Sequence, residues 1–562
     1  MESRPWHKHY DEGVPVSCDY EELTISQMLG RTAQAYPDQP ALAFLNCRLN
    51  YRQLKEQVDK MATAFQSLGV KAGTRVAIHL PNIPQVVIAY QGALAAGAEV
   101  VLTNPLYTPR EIEHQWHDSG CEIAVTADFL WDQVVRDCRD KLPVTQYIIA
   151  SIPEYLGFPL NLLAPLKLKK QDPARIAKVP PGPGLHFFKE LVSKQKPMAR
   201  PVERALDDIA VLQYTGGTTG PSKGAMLTHG NLSVNVQQVN SWFTDVEYGQ
   251  EVILTCLPIF HVFGMTVGMN WAVLTGTKMV LAPNPRDIPA LVKSIVKERV
   301  TLFPAVPALY NQINQFPGVE KMDLSCVKAC FSGSAPLPDD VKQRFEKMTG
   351  STIVEGFGMS ETSPVATVNP LTGLQKLGSV GIPVSDTDVR IVDAETGTQD
   401  VPHGEEGELI VRGPQIMKGY WGREEATAET IRDGWLHTGD LATQDEDGFL
   451  CIVGRKKDMI NCSGLKVFPD EVDNVLMAHE GILEAATIGV PDEKRGETVK
   501  SFIVLQPGAS LNEEDISSYC RENLAAYKIP RQIQFLEELP KSSVMKVLRR
   551  ELRDMELAQS GG

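Results

Sequence analysis

Ten consecutive residues, Thr215–Gly224, read TGGTTGPSKG. Glycines let a backbone turn back and approach a ligand closely, at a cost in folding entropy that something must require. Threonine hydroxyls donate to phosphate oxygens, and a lysine supplies positive charge. Thr215, Gly216, Gly217, Thr218, Thr219, Gly220 and Lys223 are therefore candidate phosphate ligands. The order is not that of a Walker loop, which ends Gly-Lys-Ser/Thr where this stretch ends Ser-Lys-Gly. A linker is disfavoured, because a strand-like run (IAVLQYT) precedes the loop and an apolar segment follows it.

Further along the chain, other residues could act beside a bound triphosphate. Glu361 closes FGMSE (Phe357–Glu361), and a carboxylate near phosphates suits magnesium, a hard cation that prefers oxygen ligands. Asp440 closes DGWLHTGD (Asp433–Asp440) and can accept two hydroxyl hydrogens of a ribose; alone it reads as a surface turn. His261 lies in the apolar LPIFHVFGM, which by itself suggests a core histidine. Phe357 alone would be a core residue, and Lys546 with Arg549 and Arg550 a solvated basic helix.

Taken together, the glycine loop, FSGSAPLP (Phe331–Pro338), FGMSE, GYW (Gly419–Trp421), DGWLHTGD, GRKKDMI (Gly454–Ile460) and PKSSVMKVLRREL (Pro540–Leu552) resemble one family. It is the acyl-adenylate-forming (AMP-dependent synthetase/ligase) family, and the chain is most similar to its bacterial long-chain fatty acid–CoA ligases. The resemblance covers nearly the whole chain. It implies ATP, Mg²⁺ and coenzyme A, a fatty acid substrate, and two steps through an acyl-AMP intermediate.

The resemblance also implies roles for particular residues. Glu361 and Thr219 would hold Mg²⁺. Gly333, Ser334 and Ala335 would line the adenine pocket with Phe357, Gly358, Met359 and Ser360. Asp440 would take the ribose with help from Arg455. His261 would sit by the acyl carboxylate. Lys546 would bridge that carboxylate and the α-phosphate. Lys457 would be the hinge of a rotating C-terminal domain, and Gly464, in INCSGLKVFP, would approach coenzyme A. Two positions depart from the family pattern: Ser360 replaces a usual threonine, and Met545 stands where glycine precedes the lysine. Three alternatives remain open: a medium-chain or aromatic acid–CoA ligase, a fatty acyl-AMP ligase, and an inactive ATP-binding homologue in which Met545 has ended catalysis.

These residues need a scaffold. Strand and helix patterns alternate over Arg75–Ala127 and again after Asp207, which predicts a mostly parallel α/β arrangement. From about Thr387 the texture is β-rich, with VRIVD, GELIVRG and GFLCIVG. Beyond GRKKD the patterning is mixed α+β. The expected organisation is an N-terminal acyl- and ATP-binding domain over residues 1–454, with a β-rich subdomain at about 387–454. A small mobile domain over 455–562 follows. Pro153–Arg200, rich in proline and lysine, reads as a surface excursion. Within it Leu162–Lys170 is either an irregular loop or a segment resting on an anionic membrane surface.

Composition bounds the rest. The 562 residues exceed one comfortable core. A net charge of −15 argues against nucleic acid as a partner. The ten cysteines include no Cys-x-x-Cys pair, so no structural zinc site is expected. The polar N-terminus and the lack of a long apolar run point to a cytoplasmic protein, with at most peripheral contact at the inner membrane face. A homodimer is compatible with the family, although no heptad run supports one.

Overall fold

The structure, a computed structural model, describes residues 4–215, 222–462, 465–492, 496–542 and 546–560. The first α/β unit follows the expected alternation: strand Arg75–His79, helix Pro84–Ala95, strand Glu99–Leu102, helix Pro109–Ser119, strand Ile123–Ala127. Its strands pair in parallel, with Val76 beside both Val100 and Ile123. The helix Pro84–Ala95 (PQVVIAYQGALA) is buried along its whole length. It packs between two other helices, Ile25–Ala35 and Tyr51–Ser67, and the strands Arg75–His79 and Glu99–Leu102. A helix covered all round needs no polar face.

Among the described residues four sheets form. A seven-stranded sheet carries the unit above and ends in the antiparallel pair Ile209–Thr215 and Lys223–Thr228. A nine-stranded sheet holds Val252–Thr255, Lys278–Leu281, Leu302–Ala305, Ala329–Ser332 and Thr352–Gly358. Asn82 ties the two together. Its amide nitrogen donates to the carbonyls of Thr255 (3.0 Å) and Leu257 (2.8 Å), and its oxygen accepts from Ile259 N (3.0 Å). A β-rich sheet follows, with Asp388–Val392, Gly407–Arg412, Trp435–Gln444 and Leu450–Arg455.

The fourth sheet lies C-terminal to Arg455 and has its own cores. Ile460, Val467, Val472, Leu476, Ile503 and Ile516 form one of them. Helices Pro469–Met477, Glu513–Asn523 and Arg549–Ser560 cover the sheet.

The Pro153–Arg200 excursion is more ordered than its composition suggests. It contains a helix, Leu160–Lys169, and a strand, Leu185–Phe187, that adds to the edge of the seven-stranded sheet beside Gln146–Ala150. Phe188 and Val192 are buried and anchor the next turn of helix. Proline-rich flanks mask such short elements, because three paired residues leave no periodicity to read. Among the described residues, no helix is long and apolar enough to cross a membrane.

Candidate active site

The strands Val252–Thr255, Leu302–Ala305, Ala329–Ser332 and Thr352–Gly358 run parallel. Their carboxyl ends share one edge, where open α/β sheets bind ligands. His261, the Gly333–Ala335 loop and Phe357–Glu361 all follow from that edge. Gly333 is buried, while Ser334 and Ala335 are exposed, and Ser334 holds φ of 73°, rare for a residue with a side chain. The loop is drawn down by Leu337 N, which donates to Glu355 Oε2 at 3.0 Å. Burial pushes the Glu355 carboxyl up to about 7.

Phe357, Met359 and Ser360 are half-buried along the same ledge. Gly358 has to be glycine there: a Cβ would lie 2.0 Å from the Pro364 carbonyl oxygen.

Glu361 sits in the short turn Ser360–Thr362, nearly out of solvent at 6% exposure. The Tyr420 hydroxyl donates to its Oε1 at 2.7 Å, and Met417 N donates to its carbonyl at 2.8 Å. Burial raises the Glu361 pKa, and the Tyr420 hydrogen bond opposes the rise. The Lys418–Trp421 segment in turn runs along the strand Lys223–Thr228. Lys418 N and Trp421 N donate to the carbonyls of Met226 (3.0 Å) and Gly224 (2.8 Å), and Met226 N donates to Gly419 O (2.8 Å).

Thr215 and Lys223 are the last pair of the hairpin, and the Lys223 ammonium lies 5.1 Å from the Tyr420 ring centre. Tyr420 thus joins the base of the phosphate-loop candidate to Glu361. The candidates Gly216, Gly217, Thr218, Thr219 and Gly220 lie outside the described residues, as do Gly464 and Met545. Among the described residues no group of three His, Cys, Asp or Glu side chains could enclose a metal. Glu361 offers the hard oxygen donor that Mg²⁺ takes together with nucleotide phosphate oxygens.

Asp440 is paired directly with Arg455 across two antiparallel strands, and Arg455 Nε lies 3.0 Å from Asp440 Oδ1. Asp440 is 4% exposed, and burial raises its pKa while Arg455 and then Lys546 oppose the rise. It is no surface turn. Lys457 follows in an exposed turn closed by Asp458 N and Met459 N on the Arg455 carbonyl (3.0 and 3.1 Å).

Lys546 is not on a helix, contrary to the reading of its basic neighbourhood alone. It precedes the helix Arg549–Ser560, on a small loop where Lys541 bridges Val547 and Ser542 N donates to Lys546 O at 2.7 Å. The loop is pinned by Arg549, which pairs with Asp470 and, at 2.5 Å, with Asp473.

The Lys546 side chain opens to solvent yet stands in a cleft deeply walled by protein. That environment, with Arg455, pushes its pKa down to about 8 against the pull of Asp440. His261 feels it too: burial, with the Lys546 charge, takes the imidazole down to about 4, so it is neutral at physiological pH. His261 caps the helix Val262–Met265 by accepting from Phe263 N at 3.3 Å. Lys546 is thus close enough to the Asp440–Arg455 pair and to His261 to shift their charge balance, although these residues come from three separate sheets or their connections.

A cluster of apolar side chains lies behind His261. Phe263 meets Phe331 edge-on at 5.2 Å between ring centres. Beyond them is a small cavity lined by Phe243, Trp271, Leu302, Phe303, Cys330 and Phe331.

A nucleotide-shaped set of groups at the carboxyl edge of a parallel sheet is also what comparison with known proteins finds. Residues 29–421 match the AMP-binding enzyme family, and residues 471–546 match the AMP-binding enzyme C-terminal domain. The chain belongs to the AMP-binding enzyme family. Among curated members it is 42% identical to a long-chain-fatty-acid–CoA ligase of Bacillus subtilis (strain 168) over 555 residues, 98% of each chain. It is 39% identical to a long-chain-fatty-acid–CoA ligase of Escherichia coli O6:H1 over 553 residues, again 98% of each. Among solved structures, the anthranilate CoA ligase AuaEII in complex with anthranoyl-AMP superimposes with a TM-score of 0.85 at 26% identity, covering 96% of this chain and 98% of that one.

Within this AMP-binding enzyme, Tyr420 is the functional candidate that sequence reading passed over. GYW was legible as a motif, but nothing in it announces a hydrogen bond to a carboxylate 59 residues earlier.

Proposed function

We propose that the protein is an AMP-forming long-chain fatty acid–CoA ligase. The observation that carries this reading is the end-to-end match to ligases of that activity. The cleft holding Lys546, Asp440, Arg455 and His261 supplies chemistry that fits. In the first step a carboxylate oxygen of the acid attacks the α-phosphorus of ATP. The acyl C–O–P bond forms, the bond to the β-phosphate breaks, and diphosphate leaves. Two anions must meet, and charge grows on the phosphoryl oxygens. The Lys546 ammonium offsets both. Mg²⁺, when bound at Glu361, would offset charge on the leaving diphosphate. Asp440 with Arg455 holds the ribose, and the Gly333–Ala335 loop and Phe357 flank the adenine.

In the second step the thiol of coenzyme A attacks the acyl carbon. A C–S bond forms, AMP leaves, and the thiol proton is lost. His261, neutral beside the acyl group, adds no further positive charge to a cleft that already holds Lys546 and Arg455. The substrates supply both nucleophiles, so no side-chain nucleophile is needed. We assign residues 455–562 as the moving domain with its hinge at Lys457, which exchanges Lys546 for a thiol path between steps. Long-chain acids partition into lipid, so this reading includes peripheral contact with a membrane.

The test is thioester formation with ATP and coenzyme A across acetate, octanoate, palmitate, oleate and benzoate. The reading expects the highest kcat/KM with palmitate or oleate, with AMP as co-product. A preference for octanoate or benzoate would overturn the chain length, and acyl-AMP without thioester would overturn the ligase.

A further inference from the structure

The helix Leu160–Lys169 is apolar on both sides. Leu160, Ala164 and Leu168 recur every four residues and pack on the body of the protein. Leu162, Leu163 and Leu166 belong to the opposite side and are 64%, 54% and 65% exposed; Phe158, just ahead of the helix, is 79% exposed. Leucines at positions i, i+1 and i+4 share one helical face. Single exposed leucines need no explanation, but four large apolar side chains exposed within nine residues are a surface waiting for a partner.

The helix is tethered at both ends. The Asn46 amide donates to Gly157 O at 2.8 Å and its oxygen accepts from Gly157 N at 3.0 Å. After the helix, Arg175 N donates to Leu168 O at 3.0 Å, and the Arg175 guanidinium lies 5.5 Å from the Phe129 ring centre.

Charge identifies the partner. The exposed leucines run into Lys167, Lys169 and Lys170. Residues 153–200 carry nine Lys and Arg against three Asp and Glu, a net +6 within a chain of net −15. A locally cationic, outwardly apolar helix on an acidic protein complements a surface that is anionic outside and apolar beneath. Lysine stems can lie along the apolar layer while their ammonium groups reach the phosphates.

We propose that Phe158 and the helix Leu160–Lys169 dock on an anionic lipid bilayer, with Leu162, Leu163 and Leu166 entering the acyl boundary and the lysines among the headgroups. The proposal deepens the ligase reading, on which it rests for its purpose, by naming the surface through which a water-insoluble acid would be met.

The test is flotation of the full chain with vesicles of phosphatidylcholine alone or mixed with phosphatidylglycerol. Two variants accompany the wild type. One is Phe158→Ser with Leu162→Ser and Leu166→Ser; the other is Lys167→Glu with Lys169→Glu and Lys170→Glu. Thioester formation from octanoate in vesicle-free buffer reports folding and the ligase reading separately.

The expected result is binding to the phosphatidylglycerol vesicles, weakened by salt and about tenfold poorer on phosphatidylcholine alone. Each variant should lose about tenfold in binding and keep its octanoate activity. Wild type that stays unbound would overturn the proposal, as would variants that bind undiminished. A serine variant that only splits a dimer would overturn it too, by making the face a subunit interface. Vesicle binding lost in the variants of a protein that ligates no acid would support the docking surface while removing the ligase reading.

Discussion

Asp440 and Arg455 face each other across adjacent antiparallel strands, 3.0 Å apart at their charged groups. Arg455 is also the last residue of its strand, immediately before the turn that leads to the C-terminal sheet. The carboxylate proposed to bind ribose is therefore clamped by the residue at which the proposed hinge begins. In the proposed function, nucleotide binding and domain position share this one ion pair.

Asp440→Ala removes an ionised acceptor whose hydrogen bonds are worth about 1.5–3 kcal/mol. That is about 10- to 100-fold in kcat/KM for ATP. The loss should fall mainly on KM for ATP and leave the KM for the fatty acid nearly unchanged. Initial rates with each substrate varied in turn would check this, and an unchanged KM for ATP would remove Asp440 from the nucleotide site.

The acyl-adenylation step should have a basic limb near pH 8. In the proposed mechanism Lys546 acts as a cation, and its pKa is pushed down to about 8. The active form is present below that value and is lost as pH rises through it. An unperturbed lysine would hold its charge until above pH 10. A pH profile of kcat/KM, which reports the free enzyme, should show the limb. Lys546→Arg should move it upward or abolish it, since guanidinium stays charged.

Tyr420→Phe tests the link between the glycine loop and Glu361. Burial raises the Glu361 pKa and the Tyr420 hydroxyl opposes that rise, so losing the hydroxyl lifts it further. The ionised carboxylate is then lost at a higher pH as the solution is acidified. The acidic limb of the profile should shift upward, and activity at neutral pH should fall by about tenfold, the value of a charged hydrogen bond. Raising Mg²⁺ should restore part of it. A uniform loss at every pH and Mg²⁺ concentration would mean that Tyr420 only supports the fold.

Lys457→Pro fixes φ in the turn between Arg455 and the C-terminal sheet. Thioester formation from preformed acyl-AMP should fall by about 10²-fold or more, while pyrophosphate exchange falls far less. Equal losses in both half-reactions would place the hinge elsewhere.

Much of the fold was legible because its signals are local. The patterns at Arg75–Ala127, at Asp388–Val392 and at Pro469–Met477 emerge as the strands and helices they suggest. The helix Leu160–Lys169 and the strand Leu185–Phe187 were not legible, since pairing at a sheet edge rather than periodicity makes that strand. The site divides in the same way. Lys223, Glu361, Asp440, Arg455 and Lys546 could be named by resemblance to a family. Their environments could not: Asp440 alone looked like a surface turn and is buried against Arg455. Lys546 looked like part of a solvated helix and instead precedes one, in a cleft shared with His261. The first relation depends on strand pairing and burial, and the second joins segments more than 250 residues apart; local sequence pattern shows neither.

The most direct test of the account compares wild type and Lys546→Ala in both half-reactions. Palmitate-dependent exchange of labelled pyrophosphate into ATP measures the first, and conversion of preformed palmitoyl-AMP with coenzyme A measures the second. The account predicts that Lys546→Ala loses about 10²- to 10³-fold in exchange, as removal of a preorganised charge does, and retains thioester formation within a few-fold. Undiminished exchange, or equal loss in both halves, would contradict it.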